Sequence, residues 1–121
     1  MTLHHRKHER VNSLNLLSYS CFNDARETVA QGMGRTLNVS EGGILLETHV
    51  QIEPQYAVCL SIGFQEEVTD VMGKIVYSKK GDNDRWQSGI EFLNPDADAR
   101  RIIKKYIEAF TRHQTASDKT E

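Results

Sequence analysis

The stretch Val68–Leu93, VTDVMGKIVYSKKGDNDRWQSGIEFL, decides the fold class. Two strand-like segments, Val68–Tyr77 and Trp86–Leu93, flank the polar turn Lys79–Asp84, KKGDND, in which Gly81 and Asn83 take positive φ at little cost. Working back from there, Pro54 precedes Tyr56–Ile62, YAVCLSI, where Tyr56, Val58, Leu60 and Ile62 share one face of a strand. Ile44–Thr48, ILLET, reads as another strand, and Arg35–Val39 leads into it through the loop Ser40-Glu41-Gly42-Gly43. Earlier still, Leu14–Asn23, LNLLSYSCFN, sets Leu14, Leu16, Ser18, Ser20 and Phe22 in alternation with Asn15, Leu17, Tyr19 and Cys21. That mixture suits a strand with one face fully buried and the other partly so. Asp24–Gln31 reads as a turn or a ragged strand, and Gly32-Met33-Gly34 as punctuation. Short strands joined by Gly-containing turns predict a closed or nearly closed antiparallel barrel.

After Leu93 the period changes. Asn94-Pro95-Asp96 offers a capping side chain, a proline for the first turn and an acid near the positive end of a helix dipole. Ile102, Ile103, Tyr106, Ile107 and Phe110 then recur at helical spacing, with Arg100, Arg101, Lys104, Lys105 and Glu108 largely on the other face. The expected helix lies across one mouth or side of the barrel. The domain reading is a flexible basic arm over 1–12, one barrel domain with its C-terminal helix over 13–113, and a polar disordered tail over 114–121.

A chain of 121 residues, 38% hydrophobic and 26% charged, has the bulk of one soluble domain. No apolar run approaches the roughly 20 residues needed to span a bilayer, and the polar, His- and Arg-rich start has no apolar stretch behind it. The expectation is a cytoplasmic protein. Cys21 and Cys59 lack a CxxC partner or a zinc-like spacing and read as two reduced, buried thiols. The net charge of −2 argues against a general nucleic-acid binder. The exception to this acidity is local: before Asn12, Arg6, Lys7 and Arg10 face only Glu9, with His4, His5 and His8 beside them.

Catalytic machinery is missing from the sequence. There is no GxSxG, HExxH, P-loop or GxGxxG, and Ser40 has no His and Asp at a recognisable spacing. The histidines of the N-terminal arm suit adventitious metal contact better than a designed site. The expectation is no enzyme, no cofactor and no metal. Two motifs remain: Arg6-Lys7-His8-Glu9-Arg10, with two arginines four apart, and Asn38-Val39-Ser40-Glu41-Gly42-Gly43, an N-x-S-x-x-G loop.

Each motif alone is common as a solvated charged face or a plain turn. In this order, with Gly89-Ile90-Glu91-Phe92 and a helix to follow, the chain resembles the PilZ domain family from about Arg6 to Phe110. That family's ligand motifs are RxxxR and [D/N]xSxxG, and both are matched here in full. The resemblance implies a six-stranded antiparallel β-barrel with helical additions. It also implies a receptor role for the bacterial second messenger cyclic di-GMP, with the signal passed to a separate partner protein concerned with motility, pili, polysaccharide secretion or regulation. The ligand residues it implies are Arg6, Arg10, Asn38, Ser40 and Gly43, with His5, Lys7 and Gly42 in support. His5 stands where another arginine is common in the family, a neighbourhood that affects whether one ligand or a stacked pair is held.

The chemistry fits those residues. An arginine fork matches the O6 and N7 acceptors of guanine, or grips a phosphate bidentately. The carbonyl of Asn38 suits the N1–H and N2–H edge of guanine, the Ser40 hydroxyl donates or accepts, and Gly43 allows close backbone approach or positive φ. Two other readings compete. A PilZ-like adaptor would work by protein contact without the nucleotide. A barrel for single-stranded nucleic acid would want aromatic platforms in a basic groove, whereas the aromatics here are scattered.

Overall fold

The alternating segments fold as six strands and the periodic segment as one helix. The computed structural model describes residues 16–120, with side chains through Arg112. The strands are β1 (Leu16–Phe22), β2 (Thr28–Val39), β3 (Gly43–Thr48), β4 (Ala57–Phe64), β5 (Glu67–Lys80) and β6 (Trp86–Phe92). They form a closed barrel in the order β1-β2-β3-β6-β5-β4, with antiparallel pairing throughout. The six-stranded antiparallel barrel expected from the resemblance is therefore present. Leu14 and Asn15, assigned above to the first strand, lie outside the described residues.

Period-2 alternation fills the interior. Leu17, Tyr19 and Cys21 enter from β1, Val58, Leu60 and Ile62 from β4, and Ile44, Leu46, Val71, Ile75, Ile90 and Phe92 from the other strands. Burying each large apolar side chain contributes roughly 1.5–3 kcal/mol before entropy is counted. The helix α1 (Ala97–Thr120) packs on β4 and β5 through Ala99, Ile102, Ile103, Tyr106, Ala109 and Phe110. Cys21 is buried inside the barrel, while Cys59 is only half-buried, on the outer face of β4. Burial raises both thiol pKa values.

Four local readings need correction. Gly32-Met33-Gly34 does not interrupt the chain but lies inside the 12-residue strand β2. A Cβ on Gly34 would come within 2.6 Å of Leu46 Cγ, so this glycine makes room in the interior instead of turning the chain. The turn falls earlier, where Asn23 Oδ1 accepts from the amides of Ala25 and Glu27 at 3.0 and 2.9 Å and Arg26 takes φ 63°. In the β5–β6 turn, Asn83 and Asp84 adopt positive φ, whereas Gly81 stays at −106°. The helix is capped by Asp96, whose Oδ1 accepts from Ala99 N at 2.8 Å, and not by Asn94, which takes φ 44°. Pro95 thus precedes the cap. At the other end the backbone stays helical to Thr120, through the stretch read as a tail, with no Gly or Pro after Pro95 to stop it.

Two polar ties hold the helix to the barrel. The hydroxyls of Tyr106 and Thr36, 2% and 1% exposed, share a hydrogen bond of 2.8 Å that joins α1 to β2 across the interior. On the outside, Glu67 at the start of β5 receives Arg101 at 2.9 Å and Lys105 at 3.0 Å. Those hydrogen bonds hold the Glu67 carboxyl at about 2, against an ordinary 4.5. Because the folded value is the lower one, this contribution to stability is complete above the unfolded pKa and lost as pH falls from about 4.5 through about 2. Glu67→Gln is expected to lower the melting temperature at neutral pH and to match the wild type near pH 2; an undiminished gap at low pH would contradict the assignment. Tyr106→Phe strands the buried Thr36 hydroxyl and is expected to cost about 1–3 kcal/mol in urea denaturation. Adding Thr36→Val to Tyr106→Phe should recover most of that loss.

Candidate functional site

The site is made by two extra residues. In β2, Thr36 pairs with Leu46 and Asn38 with Leu45, so Leu37 is an unpaired bulge. Strict alternation would point Asn38 into the core behind Thr36. The bulge reverses the facing, and Asn38 is exposed on the outer surface while Thr36 is buried. In β5, Ile75 pairs with Ile90 and Tyr77 with Gly89, leaving Val76 as a second bulge. Tyr77 is thereby turned outward, 43% exposed, with its ring lying over Gly89, where a Cβ would meet Tyr77 Cε2 at 2.5 Å. Lys79 places its ammonium 5.8 Å from the centre of that ring.

The two bulges bracket one rung across four strands: Asn38 on β2, Leu45 on β3, Gly89 on β6 and Tyr77 on β5. At roughly 4.8 Å per strand pair, that rung is about 14 Å wide. A shallow cavity of about 330 Å³, wide open to solvent, lies over it. Asn38, Ser40, Gly42 and Gly43, four residues that the sequence motif singles out, all line this cavity together with Val76, Tyr77, Gly89 and Glu91. Tyr77 and Gly89 were not selected from sequence as site residues, because only the bulge at Val76 brings Tyr77 to the outer face. Arg6, Arg10, His5 and Lys7 lie outside the described residues.

The loop is shaped by its own residues. Ser40 N donates to Gly43 O at 2.9 Å, and Ser40 Oγ accepts from Gly42 N at 3.3 Å. Gly42 O accepts from Phe92 N at 2.9 Å, tying the loop to the end of β6. No glycine takes positive φ among the described residues, so Gly43 is required for closeness: a Cβ there would stand 2.4 Å from Ile90 O. A Cβ on Gly42 would meet nothing within 4 Å. The lining includes Glu91 and, among the described residues, no Lys or Arg. Asn38 Oδ1 accepts from Val39 N at 2.9 Å.

A larger cavity, of about 490 Å³, sits one rung along the same face, between Arg35, Glu47, His49 and Arg85. None of the motif residues lines it. Its arginines are already engaged by Glu47, at 3.1 Å from Arg35 and 3.8 Å from Arg85. Among the described residues no cluster of His, Cys, Asp and Glu could hold a metal ion, and no helix is long and apolar enough to cross a membrane.

A closed six-stranded antiparallel barrel with a capped C-terminal helix and an N-x-S-x-x-G hairpin opening on its outer face defines the PilZ-like class of small barrel domains. The PilZ domain family model matches residues 4–109, and the chain belongs to that family. Among solved structures it is similar to the PilZ domain of YcgR from Escherichia coli with c-di-GMP, at 11% identity and a TM-score of 0.59 over 88% of this chain and 89% of that one. It is also similar to the PilZ domain of CeSA from a cellulose-synthesizing bacterium, at 11% identity and TM-score 0.54 over 79% and 93%. MrkH of K. pneumonia in its apo state matches at 17% identity and TM-score 0.51 over 84% of this chain, which spans 49% of that protein. No curated protein sequence matches the chain significantly.

The two adjacent glycines separate shape from binding. Gly43→Ala is expected to destabilise the barrel by about 1–3 kcal/mol through the collision with Ile90 O. Gly42→Ala should stay within about 0.5 kcal/mol of the wild type. Equal losses in denaturant titrations of the two variants would contradict this division.

Proposed function

We propose that this chain is a cyclic di-GMP receptor that takes its ligand on the outer face between β2 and β5 and signals to a separate partner protein. The observation that carries the reading is the convergence of Asn38, Ser40, Gly42 and Gly43 on one cavity, on a face created by the Leu37 bulge. Tyr77 supplies a planar wall opposite Asn38, suited to a base or a ribose.

The charge of the cavity says what else the ligand needs. Each phosphate of cyclic di-GMP carries one negative charge, and the cavity lining offers Glu91 and no cation among the described residues. Lys79, whose ammonium stands 5.8 Å from the centre of the Tyr77 ring, offers one positive charge at the edge, and a dianion calls for more. We assign that role to the RxxxR segment of the sequence, with Arg6 and Arg10 as the anchors and His5 and Lys7 in support. In this proposal residues 1–12 act as an arm that closes over the ligand, and the closed form is what the partner recognises. PilZ domains serve as ligand-binding or adaptor modules, and in this proposal the chain's output is a change of shape.

Losing one buried arginine–ligand contact typically costs about 2–5 kcal/mol, roughly thirtyfold or more in affinity. Calorimetric titration with cyclic di-GMP is expected to show binding that Arg6→Ala combined with Arg10→Ala abolishes, with an unchanged melting temperature, while Lys80→Ala leaves affinity nearly untouched. Absence of heat and of any thermal shift from a folded sample would overturn the receptor reading and put the adaptor that works without nucleotide in its place.

A further inference from the structure

Three exposed lysines lie on β5, and their surroundings separate them: Lys74, Lys79 and Lys80. Lys80 is paired with Asp84 at 3.5 Å. Lys74 stands opposite the acidic Glu91 in the strand register. Lys79 stands opposite the neutral Gln87 and holds no ion pair among the described residues. Its ammonium lies instead 5.8 Å from the centre of the Tyr77 ring, which walls the cavity. Lys79 is thus a cation without a counter-charge at the edge of a site read as taking a phosphate ester.

Glu91 stands at the other end. Gln87, Gly89 and Glu91 are successive outward positions of β6, with Ser88 and Ile90 buried between them. Lys79, Tyr77 and Lys74 face them in that order from β5. From the Lys79 rung to the Glu91 rung is roughly 13 Å along the strands, with the Tyr77 ring lying over Gly89 in between. Glu91 also holds no ion pair among the described residues. A carboxylate in an anion's cavity repels phosphate, and it only accepts hydrogen bonds. The N1–H and N2–H of guanine are donors that suit its two oxygens, and they lie on the edge of the base remote from ribose and phosphate.

Resting on the receptor reading above, we infer that Lys79 and Glu91 give the cavity a polarity that orients one nucleotide of the ligand along β6. Its phosphate lies at Lys79, its guanine stacks on Tyr77, and the N1–H and N2–H edge meets Glu91. The reversed orientation sets phosphate against carboxylate and base donors against ammonium, so both ends oppose it. On binding, the Lys79 ammonium exchanges an exposed cation–π contact for a phosphate, and the ring it leaves is free to take the base. Glu91 thereby makes this subsite selective for guanine: hypoxanthine, which lacks the 2-amino group, keeps only the N1–H donor on that edge.

The test is calorimetry of the full chain with cyclic di-GMP and with its analogue in which hypoxanthine replaces both guanines. It is repeated with Glu91→Ala, Lys79→Met and Lys80→Met after thermal melts confirm folding. Glu91→Ala should weaken cyclic di-GMP binding by about tenfold or more, and the gap between the two ligands should narrow by about fivefold or more relative to the wild type. Lys79→Met should weaken binding by about fivefold or more at low salt, less so at high salt, while Lys80→Met stays within about twofold. Binding that Glu91→Ala leaves unchanged or tightens, as mere repulsion of the phosphates requires, would overturn the inference and leave the receptor reading intact. So would a Lys79→Met variant that matches Lys80→Met. No binding of cyclic di-GMP by the wild type would instead remove the receptor reading, and this inference with it.

Discussion

In a closed barrel every strand residue faces either the packed interior or the surface, and the facing alternates without exception until an extra residue is inserted. This constraint organises the rest of the molecule. Up to Thr36, β2 sends its even-numbered residues Gly34 and Thr36 into the core. Leu37 spends one residue without a partner, and Asn38 is delivered to the outer surface beside Leu45. Val76 does the same for Tyr77 on β5. A binding face is thus built on rigid strands, from residues that unbroken alternation would have buried, and without opening the core.

The strand that carries the site also reaches the helix from its inner face. Thr36, two positions before Asn38, carries the buried hydroxyl that bonds to Tyr106 of α1. The helix otherwise packs on β4 and β5, away from the motif loop. The core contact between helix and binding strand is therefore polar and directional, whereas the contacts with β4 and β5 are mainly apolar. Outside, the Glu67–Arg101–Lys105 cluster fixes the first turns of α1 to the β4–β5 turn, but these groups are close to half exposed and water competes for them.

Much of this architecture is legible in the sequence because period-2 burial is a strong signal: Tyr56–Ile62 and Val68–Leu93 read directly as strands, and Ile102 to Phe110 as a helix face. The motif loop is legible through family resemblance, which picks out Asn38, Ser40 and Gly43 before their positions are known. What fails to read through is whatever depends on distant neighbours. Gly34 looks like a chain breaker until Leu46 is placed against it. Asn94 and Asp96 are both sound caps by type, and only the course of the chain after β6 chooses Asp96. Bulges leave no local signature, so neither the outward turn of Tyr77 nor that of Asn38 is visible before the strands are in register.

The claim on which the account rests is that one outer rung, bracketed by the bulges at Leu37 and Val76, is where the ligand sits. The most direct measurement is a backbone amide NMR titration of isotope-labelled protein with cyclic di-GMP. The account predicts that the large shift changes fall on Asn38 to Gly43, on Tyr77 and on Gly89, with the Arg35–Glu47–Arg85 cavity and the outer face of β1 and β4 little changed. Changes centred on Arg35, Glu47 and Arg85, or spread evenly over the barrel, would contradict it.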